Sequence, residues 1–139
     1  MSELFSLPLP TVLVVDDQRA IRHLAKRMLG DAGYRVIEAE NGSDALDIFQ
    51  RAGRVDLVLV DVVMPRLDGA RFVRKLLERY PQQPIVYMSA QFVEVLARYN
   101  VADFQLPFLS KPFTRDELLA KVEEALRRAP TPTDQRRSP

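Results

Sequence analysis

The sequence predicts an α/β protein built on a doubly wound parallel β-sheet, with helices on both faces. Short runs of branched apolar residues alternate along the chain with segments whose apolar residues recur at helical spacing. Five strand-helix units at this spacing imply a parallel sheet, because parallel neighbours need a crossover connection and such crossovers are right-handed. The length of 139 residues is that of one domain.

Five apolar runs predict the strands of this sheet. The first and third runs are almost continuously apolar, as expected of strands that are buried on both faces. The fifth run contains Pro107, which cannot donate a hydrogen bond to a β ladder, so we expect this strand at an edge. The five predicted strands are 11–15, 34–38, 55–60, 84–88 and 104–109.

Apolar residues at helical spacing predict four helices between and after the strands. The first is expected to end at Gly30 or Gly33, and the last to begin after Thr114, which can form a capping box with Glu117. A further helix around 91–100, before the fifth strand, has the least regular pattern. The four helices centre on 21–29, 45–49, 72–80 and 118–126.

Composition excludes several classes of function. Hydrophobic residues make up 47% of the chain and charged residues 28%, which is typical of a packed globular domain. The absence of cysteine excludes disulfides, zinc-thiolate sites and thiol catalysis. The single histidine, His23, excludes a multi-histidine metal site, and its place off the apolar stripe of the first helix indicates a solvent-facing residue.

Charge and hydropathy indicate neither a nucleic-acid partner nor a membrane. The net charge of +1 provides no overall field toward an anionic surface. No apolar run approaches the ~20 residues of a spanning helix, and the first ten residues lack the basic segment of a signal peptide. We therefore expect a cytoplasmic protein with an N-terminal lead at 1–9, one folded domain at 10–128 and a disordered tail at 129–139.

Polar residues follow four of the five predicted strands at their carboxyl ends, where the ligand crevice of an open α/β sheet lies. The second strand ends at Glu38 without a comparable residue. Each polar residue also has an ordinary structural explanation, for example that Asp17 caps the helix beginning near Gln18. One shared explanation is simpler than a separate one for each. The residues are Asp16, Asp17, Asp61, Ser89 and Lys111.

Electrostatics supplies that shared explanation. Carboxylates that converge on one crevice repel one another by about 4 kcal/mol per pair at 4 Å and an effective dielectric constant of 20. A divalent cation with oxygen ligands offsets this repulsion, and Mg²⁺ is the usual choice where carboxylates meet phosphate. A cation, a lysine, a hydroxyl and a carboxylate together suit a phosphoryl group, and the carboxylate that faces phosphorus would be the nucleophile.

The ordered set of motifs resembles the receiver domain of two-component response regulators over roughly residues 10–128. This resemblance implies a flavodoxin-like (βα)5 fold with strand order 2-1-3-4-5. It also implies a cis peptide bond between Lys111 and Pro112. The motifs are Asp16-Asp17, Asp61, Met64-Pro65, Asp68-Gly69, Ser89-Ala90 and Lys111-Pro112-Phe113.

The resemblance also implies a role for each site residue. Asp61 corresponds to the phosphoacceptor, and Ser89 and Lys111 to the residues that bind phosphoryl oxygens. Ser89 and Phe108 correspond to a switch that couples the site to the face made by the fourth helix, the fifth strand and the fifth helix of the family fold. The implied Mg²⁺ ligands are the carboxylates of Asp16, Asp17 and Asp61 and the backbone carbonyl of Val63.

The sequence departs from the family pattern at three places. Val63 and Gln91 occupy the two positions that tune the access of water to the acyl phosphate in the family. The usual Gly-Ala before the fifth strand is absent, and residues 104–107 take its place. The departures affect the expected lifetime of the phosphorylated state and the output face rather than the chemistry of phosphorylation.

The expected function is a phosphorylation-activated switch of a phosphorelay. It would accept a phosphoryl group on Asp61 from a histidine kinase or a phosphotransfer protein, with Mg²⁺ as cofactor, and signal by protein-protein contact. It would catalyse only its own phosphorylation and dephosphorylation, so it is not expected to be an enzyme for other substrates. Because few residues follow the last helix, we expect the output on a separate protein, with no direct contact to nucleic acid or membrane.

Two alternatives stay open at this stage, and two further classes fit the sequence poorly. The chain could be a receiver-like binding module that signals without phosphorylation, although such chains usually lack an acid or the lysine. It could be a receiver module of a hybrid histidine kinase, which the run 107–113 also resembles. A phosphohydrolase of the haloacid dehalogenase type would carry a DxD motif where this chain has Asp16-Asp17. A flavodoxin-like flavin-binding protein would fit the fold, but the carboxylates of Asp16 and Asp17 would repel the phosphate of the flavin.

Overall fold

Five parallel strands form the central sheet of the chain. The residues described in this computed structural model are 9–62, 69–90, 107–128 and 133–134. The strands are Thr11–Val15 (β1), Arg35–Ala39 (β2), Leu57–Asp61 (β3), Ile85–Ser89 (β4) and Phe108–Ser110 (β5). Their order in the sheet is β2-β1-β3-β4-β5, which confirms the predicted topology and the edge position of the fifth strand.

Four helices connect and follow these strands within the described residues. Gly30 lies inside the first helix, and Gly33, with a φ of 100°, follows its end, so Gly33 rather than Gly30 closes it. The helix predicted around 91–100 lies outside the described residues. The four helices are Arg19–Asp31 (α1), Gly42–Ala52 (α2), Gly69–Arg79 (α3) and Arg115–Arg128 (α4).

Two hydrophobic clusters pack on opposite faces of the sheet. Alternate residues of one strand point to opposite faces, and β1 shows this directly. Leu13 and Val15 lie in the cluster with residues of α2 and α3, whereas Val12 and Val14 lie in the cluster with residues of α1 and α4. Because both faces are covered, the inner strands are buried along their whole length, as their continuous apolar sequence predicts.

Local capping fixes where two of the helices begin. The amide of Asp44 donates a 2.8 Å hydrogen bond to the side chain of Asn41, the N-cap residue of α2. At the start of α4, the Glu117 amide donates to the Thr114 hydroxyl at 3.1 Å, and the Thr114 amide donates to the Glu117 carboxylate at 2.8 Å. This reciprocal pair confirms the capping box predicted from the sequence.

The ends of the chain are described only in part. In the predicted N-terminal lead at 1–9, only residue 9 is described. In the predicted tail at 129–139, only Thr133–Asp134 is described, and this segment pairs antiparallel with Arg54–Val55. Among the residues that the structure describes, no helix has the length and apolar character needed to cross a membrane.

The capping box of α4 can be tested by removing its hydroxyl. The Thr114→Ala variant is expected to lower the free energy of unfolding by about 1 kcal/mol, because the Glu117 amide loses its partner. Urea unfolding measures the difference. Thr114→Ser keeps a hydroxyl at the N-cap and serves as the control, so a loss of the same size in both variants would contradict the capping role.

Candidate functional site

The register of the sheet brings Asp16 and Asp61 to the same level of two neighbouring strands. Asp16 directly follows β1, and Asp61 is the last residue of β3. Val15 and Val60, the residues that precede them, are partners across the parallel pair. Asp16 is 0% exposed and Asp61 is 7% exposed. The parallel topology therefore places two buried carboxyl groups side by side at the carboxyl edge of the sheet.

Asp17 adds a third carboxylate to this pair. One carboxylate oxygen from each of Asp16, Asp17 and Asp61 lies within 4.8 Å of the others. Asp17 is exposed, whereas the other two are buried, so the cluster has an open side toward solvent. The structure thus brings together the three acids that the sequence places at the ends of the first and third strands.

Lys111 bridges the two buried carboxylates. Its Nζ donates hydrogen bonds of 2.6 Å to Asp16 Oδ2 and 2.7 Å to Asp61 Oδ2, and its side chain is 8% exposed. Its backbone amide donates to the carbonyl oxygen of Ser89 at 2.9 Å, which ties the residue after β5 to the end of β4. The bond between Lys111 and Pro112 is cis, as the resemblance implies.

The environment of Lys111 keeps its ammonium group charged. Burial lowers the pKa of this group, because the charged form loses hydration. The hydrogen bonds to Asp16 and Asp61 and the negative charges of these carboxylates raise it, and the net result is a pKa above the ordinary value of 10.5. Lys111 is therefore a permanent positive charge in the site at neutral pH.

Charge and ligand chemistry fit a divalent cation. Three ionised carboxylates and one ammonium leave two negative charges in the cluster, and a divalent cation would balance them. Carboxylate oxygens are hard ligands of the kind that Mg²⁺ prefers. Asp16, Asp17 and Asp61 are the side chains that could hold it. Val63, whose backbone carbonyl is the fourth expected ligand, lies outside the described residues.

The loop after β1 is fixed by contacts that the sequence did not indicate. The Gln18 amide donates to Asp16 Oδ1 at 2.9 Å, and Arg22 Nη1 donates to the Asp16 carbonyl oxygen at 2.7 Å. Gln18, not Asp17, is the N-cap residue of α1, so the capping explanation for Asp17 does not apply. Arg22 also pairs with Glu38 at 3.4 Å, near the end of β2.

Ser89 and Phe108, the two residues of the predicted switch, lie on the neighbouring strands β4 and β5. Ser89 is the last residue of β4 and is 1% exposed. Phe108 begins β5, is half-buried, pairs with Tyr87 of β4 and packs against the α2 and α3 side of the core. Gln91 and residues 104–106 lie outside the described residues. His23 is exposed on α1, as predicted.

Gly69 allows the start of α3 to approach the end of β3 closely. Its amide donates to the Val62 carbonyl oxygen at 3.0 Å. A Cβ atom at this position would lie 1.9 Å from the Asp61 carbonyl oxygen and 2.8 Å from Val62 Cα. Only a residue without a side chain fits, so glycine at position 69 lets the first turn of α3 pack directly against the backbone of Asp61.

Comparison with known proteins gives one consistent family. A family model described as response regulator receiver domain matches residues 12–123. The chain is 39% identical over 117 residues to the sensor kinase CckA of Brucella abortus, and the aligned region covers 84% of this chain and 12% of that protein. It is 42% identical over 126 residues to the response regulator MprA of Mycolicibacterium vanbaalenii, and the aligned region covers 88% of this chain and 52% of that protein.

Solved structures agree with the sequence relatives. The chemotaxis response regulator CheY4 of Vibrio cholerae superposes with a TM-score of 0.77 at 31% identity, over 86% of this chain and 100% of that one. A putative two-component system response regulator with a GGDEF domain superposes with a TM-score of 0.80 at 35% identity, over 92% of this chain and 53% of that one. The chain thus spans only part of several relatives that it matches.

The close approach at Gly69 predicts a site-specific effect of substitution. Gly69→Ala is expected to lower the free energy of unfolding by about 1–3 kcal/mol, the usual range for overpacking, and to shift the amide resonances of Asp61 and Val62. Gly30→Ala is the control, because no atom lies within 4 Å of a Cβ there. Its position inside α1 predicts a gain of about 0.5–1 kcal/mol. Equal losses in urea unfolding would contradict the role of Gly69.

The raised pKa of Lys111 predicts a pH-dependent contribution to stability. A group whose pKa is higher in the folded chain contributes fully below its unfolded value, here 10.5, and less as pH rises through the folded value. As pH rises above about 10.5, wild-type protein is expected to lose more unfolding free energy than Lys111→Met. Lys75→Met, at an exposed position of α3, controls for the loss of a lysine. Parallel profiles for wild type and Lys111→Met would count against the bridge.

Proposed function

The chain belongs to the response regulator receiver domain family, and on that basis we propose that it is a phosphorylation-activated switch that accepts a phosphoryl group on Asp61. One observation carries this proposal. The ammonium of Lys111 lies between the buried carboxylates of Asp16 and Asp61, while Asp17 completes the acidic cluster on its exposed side. This is the arrangement of charge that a phosphoryl acceptor with a metal requirement needs.

The proposed chemistry forms one bond and breaks one. A carboxylate oxygen of Asp61 attacks the phosphorus atom of a phosphohistidine, and the bond between phosphorus and the imidazole nitrogen breaks. The electron pair of that bond stays on the imidazole, which takes up a proton from solvent and leaves as the neutral ring, and Asp61 becomes an acyl phosphate. Mg²⁺, when held by Asp16, Asp17, Asp61 and the Val63 carbonyl, supplies positive charge that lets the acidic cluster accept an anionic phosphoryl group.

Lys111 would neutralise charge on both sides of the transfer. Before transfer, its ammonium offsets the repulsion between Asp16 and Asp61. Afterwards, one carboxylate oxygen of Asp61 bridges to phosphorus, the other is the carbonyl oxygen of the acyl phosphate, and the phosphoryl oxygens carry the negative charge. A buried lysine with a raised pKa stays protonated, so its ammonium can bind a phosphoryl oxygen after the transfer as it bound the Asp61 carboxylate before it.

We assign the conformational response to Ser89 and Phe108. Ser89 is buried at the end of β4, and its carbonyl oxygen accepts from the Lys111 amide, so a movement of Ser89 toward a phosphoryl group is linked directly to the residue after β5. Phe108 starts that same strand and is half-buried against the core. The output is proposed to be a change in the protein-binding face that includes β5 and α4.

The proposed partners are a phosphohistidine donor and a downstream protein. The relatives include a sensor kinase and a response regulator, and the chain spans 12% of the first and 52% of the second. Both kinds of relative are consistent with a donor that is a histidine kinase or a phosphotransfer protein. We propose no turnover of other phosphate esters and no direct contact with nucleic acid or membrane.

Transfer from a small phosphoryl donor tests the proposed function. With acetyl phosphate and Mg²⁺, intact mass spectrometry of the wild-type protein is expected to show the addition of one phosphoryl group, and chelation of Mg²⁺ is expected to prevent it. Asp61→Asn should show no addition, because its amide is not a nucleophile. Asp47→Asn, at an exposed position of α2, is the control and should behave as wild type. Phosphorylation of Asp61→Asn at the wild-type level would refute the assignment of the acceptor.

A further inference from the structure

Arg22 connects the acidic site to a strand that contributes no carboxylate to it. Its Nη1 donates a 2.7 Å hydrogen bond to the carbonyl oxygen of Asp16, and its Nε lies 3.4 Å from Glu38 Oε1. The side chain of Arg22 is 13% exposed and that of Glu38 is 23% exposed. Ion pairs that are this far removed from solvent keep a defined geometry better than fully exposed ones. Glu38 therefore orients the guanidinium that holds the peptide following Asp16.

The peptide that Arg22 holds is the one that positions Asp17. Within the described residues, the carboxylate of Asp17 makes no hydrogen bond or ion pair, and the residue is exposed. Among the described contacts, those of the neighbouring backbone fix its direction. The Asp16 amide is anchored to the Ala39 carbonyl oxygen at 3.1 Å, and the Asp16 carbonyl is anchored by Arg22. Both sides of Asp16 are thus tied to the carboxyl end of β2.

We propose that Arg22, oriented by Glu38, is a positioning residue that aims the Asp17 carboxylate at the metal site. Without this contact, the Asp16 carbonyl would turn toward water, and the exposed Asp17 would sample directions away from Asp61. Groups that orient metal ligands in this way typically change metal affinity about 10–100-fold when they are removed. The proposal rests on the Mg²⁺ site of the proposed function, and part of its test does not require the metal.

The matched control is an arginine with a similar partner at a distant place. Arg51 forms a 2.9 Å ion pair with Asp47 on the exposed side of α2 and makes no bond to the loop after β1 in the described structure. The variants are Arg22→Gln, Arg22→Lys, Glu38→Gln, the double variant Arg22→Gln/Glu38→Gln, and Arg51→Gln. Each is compared with wild type by urea unfolding, so that a general loss of stability is recorded separately.

The first measurement is amide hydrogen exchange without metal. The Gln18 amide, which donates to Asp16 Oδ1, reports the geometry of the loop, and the Leu59 amide in the buried strand β3 reports global opening. In Arg22→Gln, the Gln18 amide is expected to exchange about tenfold faster relative to Leu59. Arg51→Gln should leave the ratio unchanged. An unchanged ratio in Arg22→Gln would overturn the proposal whether or not the protein binds Mg²⁺.

The second measurement is the dissociation constant for Mg²⁺ alone, from a titration of backbone amide resonances. Arg22→Gln is expected to raise it at least about tenfold. Arg22→Lys should restore it only in part, because one ammonium cannot contact the carbonyl and Glu38 as a guanidinium fork does. The double variant should match Arg22→Gln, because Glu38, which also pairs with Lys26 at 3.5 Å, is proposed to act on the loop only through Arg22. An unchanged constant in Arg22→Gln, with stability lowered, would show a purely structural role.

The two proposals fail in different ways. If wild-type protein shows no saturable response to Mg²⁺, the proposed metal site fails, whereas the exchange of the Gln18 amide still decides whether Arg22 holds the loop. If wild type binds Mg²⁺ and Arg22→Gln binds it equally well, the positioning role fails and the metal site stands.

Discussion

Repulsion among three carboxylates is the constraint that organises this end of the molecule. Asp16, Asp17 and Asp61 present oxygens within 4.8 Å of one another, and two of the three are buried. Such a cluster is stable only if positive charge and hydrogen-bond donors surround it. Lys111 supplies a charge between the two buried members, and the Gln18 amide donates to the remaining oxygen of Asp16. Two negative charges remain, which a divalent cation would balance, and under the proposed function that cation would allow the site to accept a phosphoryl group.

The parallel sheet makes this concentration of charge possible. The pairing of Val15 with Val60 puts the ends of β1 and β3 level, so Asp16 and Asp61 emerge together. Hydrophobic clusters pack against the strands on both faces, and their burial offsets the unfavourable electrostatics at the edge. Neighbouring elements also fix the backbone of the acidic cluster. Gly69 lets α3 pack against the Asp61 backbone, and Arg22 connects the loop after β1 to β2.

Much of this arrangement was predictable from the sequence, because strands and helices are marked by local periodicity and parallel topology aligns the strand ends. That reasoning placed Asp16, Asp17, Asp61 and Lys111 at one edge and predicted the capping box of α4. It could not find Arg22, because this arginine of α1 and Glu38 of β2 become partners only when the helix packs beside the strand. It also could not show that a Cβ at Gly69 would meet the Asp61 carbonyl, since a close approach of two segments leaves no mark on the residue pattern.

The most direct test of the residual negative charge is a titration of wild-type protein with Mg²⁺, monitored through the backbone amide resonances. The charge balance of the site predicts a saturable response with one ion per chain, in which the largest changes fall at Asp16, Asp17 and Asp61. A sodium chloride titration over the same ionic strength should not reproduce it. A non-saturating drift, or changes of equal size at exposed aspartates such as Asp47 and Asp116, would contradict the site.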